Sequence, residues 1–451
     1  MTKPEKSKPN YLPVTVPFGA TPVGEPVQIA QWAHVMVWTE RMLATLQTGV
    51  KGGRWHTLFD KVMNPENLYA SACKVLGKKG AAGVDRQTVD DFGADRFPEL
   101  ARLESQLRED SYRPAAVRRT WIPKPGSNEK RPLGIPTVRD RVVQTALVHV
   151  IEPILDNTFH ERSFGFRHGR GCHQALRLVE EWLNDGYVFV VDADLKGYFD
   201  TIPKDRLLAS VQTLISDSRV LRLIKMYLDQ GIMEDLREWI PEAGVPQGAV
   251  LSPVLSNLYL NPLDHLMAKL DFKMVRYADD FVVLCRTPEE AQAALAEIQR
   301  WVTENGLTLH PTKTRIVDSR VESFAFLGYT FRGPNGKFRF PREKSHAKLL
   351  TKIRDLTPRK SGDSLEFIIQ KINQSLRGWF PYFRHCFWNI FKDYDSHIRA
   401  RLRRLLLKRN RRNPKRLPRT KRWPNAYFED LGLYSLNEAH IRFVQSQVGP
   451  H

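Results

Sequence analysis

The chain has 451 residues, 42% hydrophobic and 26% charged, the balance of an ordinary globular protein with room for two or three domains. A formal charge of +19 is far from ordinary and calls for a polyanionic partner, nucleic acid first, because Lys and Arg gain affinity for phosphates by releasing counterions. A spanning helix is excluded: the longest apolar runs, Tyr187 to Val191 and Phe281 to Cys285, are only strand-sized.

The start, Met1-Thr2-Lys3-Pro4, is polar and lacks an apolar stretch of signal-peptide length, which points to the cytoplasm. Residues 1 to 55 read as an extension of unknown role, with a short helix expected within Trp32 to Leu46. From Leu58 to about Phe340, strand-like and helix-like segments alternate in the manner of an α+β fold. One apolar strand ends in Val190-Val191-Asp192-Ala193-Asp194. A loop punctuated by Gly244, Pro246 and Gly248 then leads into a helix started by Ser252 and Pro253 and carrying Val254, Leu255, Leu258 and Leu263. Tyr277-Ala278-Asp279-Asp280, flanked by Met274-Val275 and Phe281 to Leu284, reads as a hairpin with a polar tip. A helix through Leu295, Ile298 and Val302 follows, stopped by Asn305-Gly306, and then a short strand, Leu307 to Leu309. Strand, helix, hairpin, helix, strand is the ferredoxin-like order.

Beyond about Glu343 the pattern turns helical. From Ile398 to Arg422 there are thirteen Lys or Arg in twenty-five residues and no acid, so this segment is expected to meet phosphate. The four cysteines, Cys73, Cys172, Cys285 and Cys386, have no C-x-x-C spacing, which argues against disulfides and a zinc ribbon and for buried thiols.

The chemistry lies in the acids. Adjacent carboxylates at a hairpin tip between apolar strands raise each other's pKa and call for a cation. If the strand ending in Asp194 neighbours the hairpin, Asp194 and Asp279 converge on a pair of Mg²⁺ ions roughly 3.5 to 4 Å apart, the arrangement that clamps an attacking 3′-hydroxyl and a leaving pyrophosphate. Asp280 is either a ligand or a supporting acid. By itself an Asp-Asp pair is most often a solvated turn.

These segments resemble the group II intron reverse transcriptases with their linked maturase domains, from about Gly80 to about Leu436. Lys79-Gly80-Ala81-Ala82-Gly83-Val84-Asp85 is similar to the family's N-terminal loop. Arg131-Pro132-Leu133-Gly134-Ile135-Pro136-Thr137 and Asp140-Arg141-Val142-Val143-Gln144 are similar to its fingers, and Ser163-Phe164-Gly165-Phe166-Arg167-His168-Gly169-Arg170 to its template-contacting stretch. The Asp194 strand, the Gln247 loop and the Tyr277 hairpin supply the palm. Gly306-Leu307-Thr308-Leu309 with Lys313-Thr314, and Phe324-Ala325-Phe326-Leu327-Gly328-Tyr329, match the last two polymerase motifs, the second being the primer grip. Leu376-Arg377-Gly378-Trp379-Phe380-Pro381-Tyr382-Phe383 is similar to the maturase helices.

The resemblance implies a right-hand polymerase fold: fingers and a ferredoxin-like palm over 56–345, a helical thumb/maturase domain over 346–415, and a short basic DNA/RNA-binding tail over 416–451. It implies that Asp194, Asp279 and Asp280 are the catalytic acids. The metals fall to Asp194, Asp279 and the backbone carbonyl of Leu195. Lys124, Arg131, Phe199 and Gln247 take the nucleotide, an aromatic ring under C2′ rejecting a ribose hydroxyl. Lys313 either protonates pyrophosphate or is a surface lysine. Arg399, Arg403, Arg404, Arg411, Arg412, Lys415 and Arg416 are expected to bind RNA, whereas Trp379, Phe380, Tyr382, Phe383, Phe387 and Trp388 are expected mainly in a helix core. Substrates are dNTPs; partners are intron RNA, an RNA template and a DNA primer, with no membrane and nothing said of oligomeric state. The zinc-stabilised H-N-H nuclease of many relatives is not found before His451, so priming from nicks or replication-fork ends is expected. A splicing-only factor with a dead palm is disfavoured by the intact acids, while a domesticated relative in DNA repair or defence would use the same palm.

Overall fold

The computed structural model describes residues 37–50, 52–123, 130–234, 237–333, 336–358, 362–409 and 419–447. Its strands are β1 (Val117–Pro123), β2 (Lys130–Ile135), β3 (Phe189–Asp194), β4 (Ile232–Glu234), β5 (Arg237–Trp239), β6 (Lys273–Tyr277), β7 (Asp280–Cys285), β8 (Arg315–Asp318), β9 (Phe324–Phe326), β10 (Tyr329–Arg332) and β11 (Phe338–Pro341). They form three sheets, ordered β2-β1-β4-β5, β6-β7-β3-β8 and β11-β10-β9.

The middle sheet is antiparallel throughout and has ferredoxin-like strand order. Its central strand, β7, is buried from Phe281 to Cys285, and this fits a continuous apolar run covered on both faces. Val191, Ala193, Phe281 and Val283 face a core shared with the Ser252–Lys269 and Pro288–Glu304 helices and with the fingers. Val190, Val282, Leu284 and Val317 face a second core, built with the Cys172–Asn184, Leu365–Phe383 and Asn389–Arg409 helices. Period-two alternation thus divides the molecule at this sheet. Each fully buried Leu, Ile or Phe contributes about 1.5–3 kcal/mol on either side.

One buried polar network crosses these elements. Arg276 on β6 is wholly buried; its Nε and Nη2 donate to the Asp264 carboxylate at 2.5–3.0 Å, and its Nη1 donates to Asn257 Oδ1 and to the Ala278 carbonyl, both at 2.9 Å. Asn257 in turn donates to the Gly165 carbonyl at 2.7 Å. Residues 162–164 run beside β6, with Phe164 N–H donating to the Arg276 carbonyl and Arg276 N–H to that of Arg162.

Several expectations change. The first described helix is Glu40–Thr48, capped by Thr39, and Trp32 to Met36 lie outside the described residues. Leu307 to Leu309 is not a strand: it makes one bridge, Leu195↔Leu309, with His310 N–H donating to the Asp194 carbonyl, and Pro311 then removes the next donor. The fourth palm strand is Arg315–Asp318 instead. All four cysteines are free and Cys285 and Cys386 are buried, but Cys172 is half-buried, and Cys73 is exposed because it lies opposite the Leu68, Ala72 and Val75 face of the Pro65–Gly77 helix. Phe380 and Phe383 are core, as read, while Tyr382 and Trp388 reach the surface. Among the described residues no helix is long and apolar enough to cross a membrane.

Removing Arg276 strands a buried carboxylate. Arg276→Met is expected to destabilise the palm by about 3–5 kcal/mol, and adding Asp264→Leu to recover much of that loss. Urea unfolding measures both; equal stability of Arg276→Met and the parent contradicts the network's role.

Candidate active site

The Tyr277↔Asp280 rung closes β6 onto β7 around a two-residue turn, Ala278-Asp279. Ala278 has φ +59°, a left-handed conformation that an L side chain rarely adopts. Two contacts hold it there. Arg276 fixes the Ala278 carbonyl, and Gly165 lies so close that a Cβ on it would collide with the backbone at Tyr277 and Ala278. The glycine of the 163–170 stretch thus makes room for the hairpin tip.

The β3/β7 register sets Asp194 directly opposite Asp280, and opposite residues share a face. Asp192 lies two residues back on that face and pairs with Arg315 at 3.8 Å. Burial pushes Asp280 up to about 7, helped by the charges of Asp192, Asp279 and Asp194, against a hydrogen bond from the Leu327 N–H. Burial also raises Asp279, with Asp194 adding to the rise, while Arg131 and Arg276 oppose it. Burial raises Asp192 too, against the attraction of Arg315 and Arg342. Lys313 Nζ lies 2.7 Å from Asp194 Oδ2. Because the Asp194 carbonyl accepts from His310, strand alternation turns the Leu195 carbonyl to the β7 side.

The Gln247 loop is fixed to both fingers and palm. Gly134 N–H donates to the Gln247 carbonyl at 2.7 Å, and Gly248, at φ +102°, has no space for a Cβ against Leu133 and the Gly134 carbonyl. Val245 N–H donates to the Phe199 carbonyl, and Gln247 Nε2 to Asp200 Oδ2 at 2.9 Å. Phe199 is half-buried and meets Tyr198 edge-on, with ring centroids 5.4 Å apart. A cleft of about 250 Å³ beside Gln247 and Asp200 is walled by Arg119, Pro132 and Trp239. Arg131 is exposed on β2 and lies close enough to act on Asp279. Lys124 falls outside the described residues, as do Arg411, Arg412, Lys415 and Arg416.

On the Asn389–Arg409 helix Arg404 is exposed and Arg399 half-buried, but Arg403 does not face solvent. Its Nε donates to the Trp423 carbonyl and its Nη2 to Asn425 Oδ1, both at 2.8 Å, and its guanidinium lies over the Phe428 ring. The expectation that Arg403 binds RNA is therefore corrected: it ties the C-terminal turn to the helix. Sequence reading also missed Arg276, Asp264 and Asn257. An arginine inside the apolar strand Met274 to Tyr277 and an aspartate in an apolar helix were the available signals.

Asp194, Asp279 and Asp280 offer hard oxygen donors, and burial, with repulsion between the acids added to it, raises the last two, which is the chemistry that suits a divalent cation. Among the described residues no three such side chains form a closed metal cage, and Lys313 holds one oxygen of Asp194.

A ferredoxin-like sheet with acids at the end of β3 and the β6–β7 tip, facing a β-hairpin that carries Arg131, defines a template-directed nucleic-acid polymerase. The comparisons specify which. The profile for reverse transcriptase (RNA-dependent DNA polymerase) matches residues 122–331, and that for the group II intron maturase-specific domain matches residues 346–423. Protein YkfC of Escherichia coli strain K12 is 34% identical over 332 residues, 64% of this chain and 86% of that protein. Group II intron-encoded protein LtrA of Lactococcus lactis subsp. cremoris is 32% identical over 234 residues, 51% of this chain and 38% of that protein. An uncharacterized 91 kDa protein in the cob intron of Schizosaccharomyces pombe is 30% identical over 305 residues, 54% and 37% of the two chains. The chain belongs to the group II intron reverse transcriptase/maturase family, an RNA-directed DNA polymerase class whose members use divalent metal ions and dNTPs.

Gly165→Ala pushes a methyl group into the hairpin backbone. DNA synthesis is expected to fall about a hundredfold, the scale of a 1 Å displacement of reacting groups, with RNA affinity held within a few-fold. Primer extension and filter binding separate the two, and full synthesis by the variant contradicts the close approach.

Proposed function

We propose that this protein copies RNA into DNA, helps its intron RNA to fold and splice, and supports intron mobility by target-primed reverse transcription in the cytoplasm. The observation that carries this reading is the β3/β7 register, which brings Asp194 beside Asp280 and the Ala278-Asp279 tip.

In this reading residues 56–345 are fingers and palm, 346–415 the thumb and maturase helices, and 416–451 a basic tail. Asp194, Asp279 and the Leu195 carbonyl hold two Mg²⁺ ions, with Asp280 in support. The ions, when bound, favour ionisation of the primer 3′-hydroxyl and neutralise charge on the triphosphate. Arg131 and Lys124 hold the triphosphate of the incoming dNTP, and Gln247 lines the nucleotide from the loop fixed to Asp200. Phe199 lies under the sugar and excludes a 2′-hydroxyl. Lys313, which pairs with Asp194, gives a proton to pyrophosphate in this reading. The exposed Arg404, the half-buried Arg399 and the run Arg411, Arg412, Lys415 and Arg416 bind intron RNA, and their charge supports that partner.

The test is extension of a DNA primer on an RNA template with dNTPs and Mg²⁺. Asp194→Ala and Asp279→Ala are each expected to abolish synthesis, a loss of several kcal/mol of transition-state stabilisation, while RNA affinity stays within a few-fold. Near-parental synthesis by either variant rejects the assignment. In the same assay Phe199→Val is expected to admit ribonucleotides; unchanged rejection of rNTPs would make the ring a core residue only.

A further inference from the structure

β9 and β10 are joined by a two-residue turn, since Tyr329 pairs with Phe326. Both central residues have positive φ, +47° at Leu327 and +75° at Gly328, the signature of a type I′ turn. Gly suits the second position, but Leu at the first is a strained choice where Asn, Asp or Gly is usual. Such strain persists only where the surroundings enforce it.

The enforcing contact comes from a helix distant in sequence that shares the same core. Tyr382, near the end of the Leu365–Phe383 helix, donates its hydroxyl to the Leu327 carbonyl at 2.8 Å, and its ring edge lies against Gly328. The Tyr382 carbonyl is held in turn by the Tyr329 hydroxyl and by His173 Nε2 at 2.8 Å. On its far side the same turn presents the Leu327 N–H to the Asp280 carboxylate. A continuous path therefore runs from the Leu365–Phe383 helix through one peptide unit on each side of Leu327 to the acid at the hairpin tip.

We propose that Tyr382 is a positioning residue for polymerisation: its hydroxyl latches the Leu365–Phe383 helix onto the Leu327-Gly328 turn and so fixes the turn that braces Asp280 and, on the reading above, the primer end. The latch rests on the polymerase reading for its consequence, but not for its geometry. It adds a directional hydrogen bond to the packing that already joins this helix to β10. Only the hydroxyl is needed, because the ring's packing against Tyr329, Phe383 and His173 survives its removal.

Tyr382→Phe therefore isolates the latch. In single-turnover extension at saturating dNTP and primer–template, the rate is expected to fall about tenfold, the amount one ordinary hydrogen bond is worth when lost from the transition state. Primer–template affinity and thermal midpoint should stay at parental values. In a Leu327→Gly background, where the turn is no longer strained, the same substitution should cost less than about threefold; an equal cost in both backgrounds overturns the latch. So does a parental rate in Tyr382→Phe, or a rate loss matched by weaker primer–template binding. Hydrogen exchange provides a readout independent of activity. Exchange across Phe326 to Tyr329 should quicken about tenfold in Tyr382→Phe while the Leu365–Phe383 helix is unchanged, and unaltered exchange at the turn overturns the proposal even in a chain that does not extend primers. Failure of the parent to extend, with exchange behaving as expected, would overturn the polymerase reading alone.

Discussion

Arg276 is an expensive residue to bury, and its guanidinium is satisfied only because two other segments converge on it. Asp264 and Asn257 come from one helix, and the Ala278 carbonyl from the hairpin tip. An uncompensated buried guanidinium costs several kcal/mol, so these partners must arrive together or the palm does not close. The pair is weak as a source of net stability compared with well-packed apolar side chains. Its value is directional: five planar N–H donors admit few arrangements of acceptors, and the arrangement they select places Ala278-Asp279 where the sheet register places Asp194 and Asp280. Asn257 extends the same constraint to Gly165, binding the stretch before β3 to the tip.

The second constraint is electrostatic. A protein with a formal charge of +19 gathers Asp192, Asp194, Asp279 and Asp280 at one end of one sheet, where burial raises three of them. Folding alone gives no reason to do this, since each acid makes its neighbours harder to ionise. The surroundings compensate only in part, through Arg315 on Asp192, Lys313 on Asp194 and the Leu327 amide on Asp280. Residual repulsion of this kind is what a cation-dependent site is made of. Left-handed backbone is stored at the same place, at Ala278 and at Leu327, each on a turn that touches an acid.

Much of this was legible in the sequence because its signals are local. The apolar run after Asp280, the helix start at Ser252 and Pro253 and the stop at Asn305-Gly306 each depend on a few adjacent residues, and each gave the right element. Leu307 to Leu309 misled because its apolar pattern is that of a strand, whereas its backbone is spent capping the end of β3. Arg315–Asp318 was missed for the opposite reason: two apolar residues between charges look like a loop until the sheet supplies their partners. Arg403 shows the limit of charge counting. Thirteen cations without an acid describe a phosphate-seeking segment, but composition cannot say which arginine turns inward, and one of them does so to satisfy Trp423 and Asn425.

The palm sheet also explains why the C-terminal helices are more than an appendage. Val190, Val282, Leu284 and Val317 present an apolar face that the Cys172–Asn184 helix and β9 cover, and the Leu365–Phe383 and Asn389–Arg409 helices add Ile368, Ile369, Leu376 and Phe391 to the same core. Exposing those side chains would cost about 1.5–3 kcal/mol each, so these helices do not swing away as a whole. Motion between the acids and the basic C-terminal segment must therefore be confined to polar seams. The seam at Leu327-Gly328 is one, where hydrogen bonds to Tyr382 and Asp280 join only partial packing of Leu327 and of the Tyr382 ring. A polymerase must move its primer by one nucleotide after every addition while keeping its metal-binding acids still. A rigid apolar core beneath a hydrogen-bonded turn meets both demands, because a polar contact can break and re-form with little change in exposed apolar area, and a packed core cannot.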